Sequence, residues 1–239
     1  KIIASDYVGG ITGCCLESEI VKCTNDCIIE GARYAGGIAG YGWGSKIINC
    51  INKGKIECTG AYVGGMIGLD QLNAIIEKNI NYAEIKGFQS VGGICGEQQR
   101  NGATINLCIN YGNIYGISNS RQIGGIVGHS GYTGETFLEN SYNIGDVEGT
   151  NEIGGIIGSH YTNNENGKVR CNNCYNLGNI TSNNTIAGNI IGRNETTSII
   201  ENTFWLNKGK VEYGKGKTQD NNGATPKTEE EIQQYIENN

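Results

Sequence analysis

The sequence predicts an all-β fold: a parallel β-solenoid of about seven coils, right-handed by the general crossover preference, followed by a short C-terminal helix. Three observations carry this expectation. A phrase of the form Gly-Gly-Ile-x-Gly recurs at Gly9-Gly10-Ile11-Thr12-Gly13, Gly36-Gly37-Ile38-Ala39-Gly40, Gly64-Gly65-Met66-Ile67-Gly68, Gly92-Gly93-Ile94-Cys95-Gly96, Gly124-Gly125-Ile126-Val127-Gly128 and Gly154-Gly155-Ile156-Ile157-Gly158, with a degraded copy at Gly188-Asn189-Ile190-Ile191-Gly192. Successive copies lie 27, 28, 28, 32, 30 and 34 residues apart, a period that belongs to repeat architectures. Between copies a small residue stands two positions before an Asn: Cys23-Thr24-Asn25, Cys50-Ile51-Asn52, Asn79-Ile80-Asn81, Cys108-Ile109-Asn110, Ser141-Tyr142-Asn143 and Cys174-Tyr175-Asn176. Finally, glycine makes up 39 of 239 residues and proline only one, Pro226. That balance favours short strands with tight corners and uninterrupted ladders.

Each coil is expected to hold a strand around the glycine phrase, one around the Asn phrase, and a third near Ile56 or Ile114. Stacking such coils at about 4.8 Å places like residues over like. Ile11, Ile38, Met66, Ile94, Ile126, Ile156 and Ile190 then form an interior ladder, and Asn25 to Asn176 a hydrogen-bonded amide ladder. The glycines answer a need for positive φ or close backbone approach at a corner. In the seventh copy, Thr203-Phe204-Trp205, the Asn is lost.

Coil length varies at one place. From the closing Gly of each phrase to the next Asn the count runs 12, 12, 13, 14, 15, 18. Insertions confined to one corner of a repeat protein mark either a binding face or a tolerant turn. That corner carries Tyr41, Trp43, His129, Tyr132, His160 and Tyr161, the candidate ligand-binding residues. Exposed aromatics there could stack on sugar rings or anchor a protein partner, or Trp43 could simply cover the flank. His129 and His160 could face each other in a small site; the alternative is a pair of solvated loop residues.

Ten cysteines would ordinarily suggest disulfides. Here Cys23, Cys50, Cys108 and Cys174 share one repeat position with Asn79 and Ser141, so that slot wants a small, weakly polar side chain, and buried free thiols are the expectation. Cys171 and Cys174 have metal-pair spacing with no second pair nearby, so no metal or cofactor is assigned. Net charge is −6 with no basic cluster, which disfavours nucleic acid as a partner. No apolar run reaches membrane-spanning length, and no leader is visible ahead of Lys1-Ile2-Ile3, which reads as a coil already begun. The chain is thus expected to be a monomeric piece of a longer protein.

The repeat region is placed at 1–213. Residues 214–239 are expected to form a loop and a helix, opened by the capping box Thr228-Glu229-Glu230-Glu231 and lying over the open end of the stack.

The two phrases resemble the GLUG motif repeat. The quartets Gly10-Ile11-Thr12-Gly13, Gly93-Ile94-Cys95-Gly96 and Gly125-Ile126-Val127-Gly128 match its Gly-Leu-any-Gly core with Ile for Leu, and Asn140-Ser141-Tyr142-Asn143-Ile144-Gly145-Asp146-Val147 resembles its companion segment. The resemblance runs over about residues 7 to 213. It implies a bacterial cell-surface or secreted location and a stalk or adhesin-like role with a host protein or glycan as partner. It also admits an accessory, non-catalytic segment of a secreted immunoglobulin A-cleaving peptidase, and it carries no catalytic residues to transfer. A carbohydrate-active β-helix enzyme is the remaining alternative, but it needs gathered carboxylates, and the Asp residues at 6, 26, 70, 146 and 220 are unpaired in sequence. No catalytic residue is assigned.

Overall fold

The computed structural model describes residues 1–100, 103–131, 133–161, 167–183, 186–195, 198–207, 211–217, 219, 221 and 223–238. They wind into a parallel β-solenoid of about seven coils, nearly all strand, with one short C-terminal helix. Each coil crosses four sheets, one more than the phrases suggested. In the second coil Ile29–Gly36 lies in sheet A, Ala39–Trp43 in sheet B, Lys46–Ile48 in sheet C and Ile51–Asn52 in sheet D. The extra sheet arises because the segment before the Asn phrase turns a corner of its own. Strands pair only with their equivalents one coil away, in parallel and in register: Gly36 meets Gly9 and Gly64, and Asn52 meets Asn25 and Asn81.

The glycine phrase sits at a corner instead of mid-strand. Its first Gly ends a sheet A strand, its second Gly and the Ile make the bend, and the fourth residue begins sheet B. Close approach explains the glycines. A Cβ on Gly37 would lie 2.2 Å from the Gly65 carbonyl oxygen and 2.4 Å from Asn52 Cγ. Positive φ falls on other residues. Two positions before each Gly-Gly stand Tyr7, Tyr34, Tyr62, Ser90, Gln122 and Glu152, all with φ between 49° and 67°. A bulky side chain resists this region, so its recurrence in coil after coil marks a bend that the winding itself demands.

The Ile column fills the interior as expected: Ile38, Met66, Ile94, Ile126, Ile156 and Ile190 are fully buried, while Ile11 heads the stack and is 45% exposed. On the corner between sheets D and A, each Asn amide donates to the next. Asn25, Asn52, Asn81 and Asn110 reach their successors' Oδ1 at 2.8 Å, and Asn143 reaches Asn176 at 2.9 Å. The same amides close a turn on the carbonyl two residues on, at Cys27, Ala83, Gly112, Gly145 and Gly178. The small-residue slot also makes hydrogen bonds. Cys108 Sγ lies 3.4 Å from the carbonyls of Ile76 and Asn106, and where the slot is Asn79, Ser141 or Thr203 the side-chain oxygen accepts a backbone N–H from the coil before. All ten cysteines are free thiols; Cys50, Cys108 and Cys174 are buried.

The C-terminal end departs from expectation. Stacking continues past residue 213: Lys215 bridges Ile191, and Ala224–Lys227 adds a last strand to sheet D, with Pro226 on its edge where a missing N–H costs nothing. Trp205, in register with Asn176, takes the Asn position and is 1% exposed within the main core. The helix Glu229–Asn238 is capped as the sequence indicates, Glu231 N donating to Thr228 Oγ1 and Thr228 N to Glu231. It does not lie over the open end. Ile232 and Tyr235 pack on Tyr142, Tyr175, Leu177, Phe204 and Leu206, a stripe on the outer flank of sheet D that matches the helix's apolar face.

Candidate functional site

Sheet B and the positive-φ column of sheet A enclose an outer groove parallel to the solenoid axis. Its near end is aromatic. Tyr7 stacks on Tyr34 at 4.6 Å between centroids and Tyr34 on Tyr62 at 4.9 Å, because one position of three successive coils is tyrosine and the coils are in register. Tyr41 stands at 86° to Tyr7, so its ring plane runs along the axis, and its hydroxyl lies 3.3 Å from Gln71 Oε1. Gln71 continues the row, its Nε2 donating to Gln99 Oε1 at 2.6 Å. With Cys14, Leu16 and Leu69 these residues line an open groove of about 480 Å³. Partial burial raises the Tyr34 and Tyr41 hydroxyls above the ordinary tyrosine value.

Farther along sheet B the column that Tyr41 and Leu69 begin becomes polar and buried. Glu97 follows Leu69 in the column, bonded by Ser90 Oγ at 2.7 Å and by the Gln99 amide, and burial pushes its carboxyl up against those hydrogen bonds. His129 follows Glu97, with Nδ1 3.1 Å from the Ser159 carbonyl and its ring 4.8 Å from that of Tyr161. Burial and the neighbouring His160 lower its pKa to about 3, so the imidazole is neutral at pH 7. Arg193 lies over Tyr161 at 4.8 Å and holds Glu152 at 2.6 Å and Glu195 at 2.8 Å.

Of the residues singled out from the sequence, the structure thus brings His129 and Tyr161 together, while Tyr41 stands three coils away in His129's column and Trp43 is in register with Gln71 on the same sheet, with Arg100 6.0 Å over its ring. His160 departs: it sits one register position from His129's column, 1% exposed, with Nδ1 2.9 Å from the Ser130 carbonyl. Neither histidine is a solvated loop residue, because both lie within sheet B strands and are at most 2% exposed. Tyr132 lies outside the described residues. Sequence reasoning missed the tyrosine wall. Its signal was present, since Tyr7, Tyr34 and Tyr62 each stand two residues before a Gly-Gly. Among the described residues no group of three His, Cys, Asp or Glu side chains is placed to hold a metal ion, and no helix is long and apolar enough to cross a membrane.

A repeated Gly-Gly corner, an Asn ladder and four parallel sheets define a repeat solenoid. Within it, the family model of the GLUG motif matches residues 31–57, one full coil from the sheet A strand through the Asn phrase to the next sheet A strand. No curated protein and no solved structure matches the chain. The chain is therefore a β-solenoid repeat domain carrying a GLUG motif.

Proposed function

We propose that this chain is a non-catalytic, extracellular repeat module of a bacterial surface protein, and that it acts as an adhesin-like binding domain whose ligand is a glycan. The observation that carries the reading is the near end of the outer groove. There the edges of three stacked tyrosines and the ring of Tyr41 flank the carboxamides of Gln71 and Gln99. Aromatic rings supply apolar contact for sugar faces, and amides supply donors and acceptors for hydroxyls. The test is a glycan array probed with the wild-type protein, Tyr41→Ala and Tyr82→Ala. Tyr82 stacks on Tyr111 far from the groove and serves as control. Binding that survives Tyr82→Ala and drops at least tenfold in Tyr41→Ala supports the reading. An empty array, or binders indifferent to Tyr41, leaves a stalk. New reducing ends or unsaturated products from a polysaccharide panel would overturn the non-catalytic part.

A further inference from the structure

The interior holds a second polar column, on the inner side of sheet B, that the Asn ladder does not include. Register runs through Cys15, Gly42, Asp70, Gln98, Ser130, His160 and Asn194. The column faces inward. Cys15 belongs to the main apolar core, and a Cβ built on Gly42 would fall 2.6 Å from Ile67 Cδ1, 2.5 Å from Ser45 Oγ and 3.3 Å from Asp70 Oδ1. Asp70, Gln98, Ser130 and His160 are each at most 1% exposed. Yet, the Gln71 backbone N–H beside the Asp70 carboxyl apart, the Asp70 oxygens, both Gln98 amide atoms, Ser130 Oγ and His160 Nε2 meet no hydrogen-bonding group.

One such coil would be a packing accident; here four consecutive coils share the feature. The Asn column of the same molecule, by contrast, bonds each of its amides. A buried polar group left unpaired is destabilising. Four coils of them would cancel much of the small margin by which a domain is stable. A partner is therefore required, and it must serve a carboxyl, an amide, a hydroxyl and an imidazole in turn. Water does so, because it donates and accepts. The spacing also fits. Polar atoms about 4.8 Å apart are bridged by one water with two bonds of about 2.8 Å at a near-tetrahedral angle.

We propose that this column is a buried water file, one molecule bridging each pair of successive coils from Asp70 to His160, running along the solenoid axis inside sheet B. The chemistry of its ends agrees. Burial holds the Asp70 carboxyl well above the usual carboxylate range, which favours a neutral acid that both donates and accepts. His160 Nδ1 faces the Ser130 carbonyl, which can only accept, so the proton sits on Nδ1 and Nε2 is left as an acceptor for the file. The neighbouring corner carries small residues. Ala74 and Ala103 succeed Ser45 at the start of sheet C, and both are buried. A metal fits poorly, since the column carries a single carboxylate.

The test combines a high-resolution crystal structure with water-oxygen magnetic relaxation dispersion, which counts waters held longer than the protein tumbles. The file requires about three ordered waters within hydrogen-bond reach of Asp70, Gln98, Ser130 and His160 in wild type. Gln98→Leu should lower the long-lived count by at least one. Dry density beside these groups, direct pairing among them, or a metal or alkali ion in place of water overturns the proposal. An unchanged relaxation count in folded Gln98→Leu does so as well. If that variant fails to fold, the wild-type crystal decides alone.

Discussion

Asn110 shows what one residue contributes to this fold. Its amide donates to Asn143 Oδ1 and the Gly112 carbonyl, and its oxygen accepts from Asn81, all at 2.8 Å and fully buried. Asn110→Ala leaves a donor on Asn81 and an acceptor on Asn143 unpaired, and should cost about 3 kcal/mol in urea unfolding. Lys46→Ala, which removes an exposed ion pair to Glu19, should cost under about 1 kcal/mol. Equal losses for the two would contradict the ladder. The histidines set the acid limb of stability. His129 and His160 have folded values of about 3 and about 4 against an ordinary 6.5. Being depressed, they contribute stability that is present above about 6.5 and lost as pH falls from there toward about 3. Asp70, raised by burial, works the other way: its contribution is present below its ordinary value of 3.8 and is lost as pH rises through its folded value. Unfolding free energies between pH 7 and 4 should therefore fall less steeply in His129→Gln than in wild type. Parallel curves would refute the neutral, buried imidazole.

At the scale of elements, the corners were legible and the faces less so. The Gly-Gly and Asn phrases mark bends because only glycine tolerates a neighbour's carbonyl 2.2 Å from a Cβ, and only Asn closes a turn while bonding the next coil. Sheet C went unread because in the first four coils its strands, such as Lys46–Ile48, are only three residues long and carry no fixed punctuation. The inward and outward faces of sheet B went unread for a related reason. Its strands begin after a glycine phrase and end at variable insertions, so alternation had few residues in which to show. That is why His129 and His160 read either as a facing pair or as solvated loop residues, whereas both lie buried in sheet B strands, His160 on the inner column. The helix was predicted with its cap, but its docking site on sheet D depends on Tyr142, Tyr175 and Phe204 lining up across three coils. Tyr235→Ala removes contacts to Tyr175 and Phe204 at 5.6 and 5.3 Å between centroids. It should release the helix, seen as new proteolytic cleavage after residue 227, while the solenoid's far-UV signal stays. Trp205→Ala should cost roughly 3–5 kcal/mol, because it opens a cavity where the Asn column ends. Loss of amide protection should be confined to the last coils.

At the scale of the molecule, stability is a sum over neighbouring coils, since strands contact their equivalents one coil away. The same register that builds the core also builds the groove. Three tyrosines become a wall only because three coils coincide, and four polar residues become a column only because four coils do. The most direct measurement is a methyl NOE experiment on protein labelled at Ile and Met methyls. Coils in register require cross-peaks from Ile94 to Met66 and to Ile126, its neighbours about 4.8 Å away, with none to Ile38 two coils off. Missing neighbour peaks, or peaks linking distant copies at random, would contradict the stack and with it both the groove and the water file.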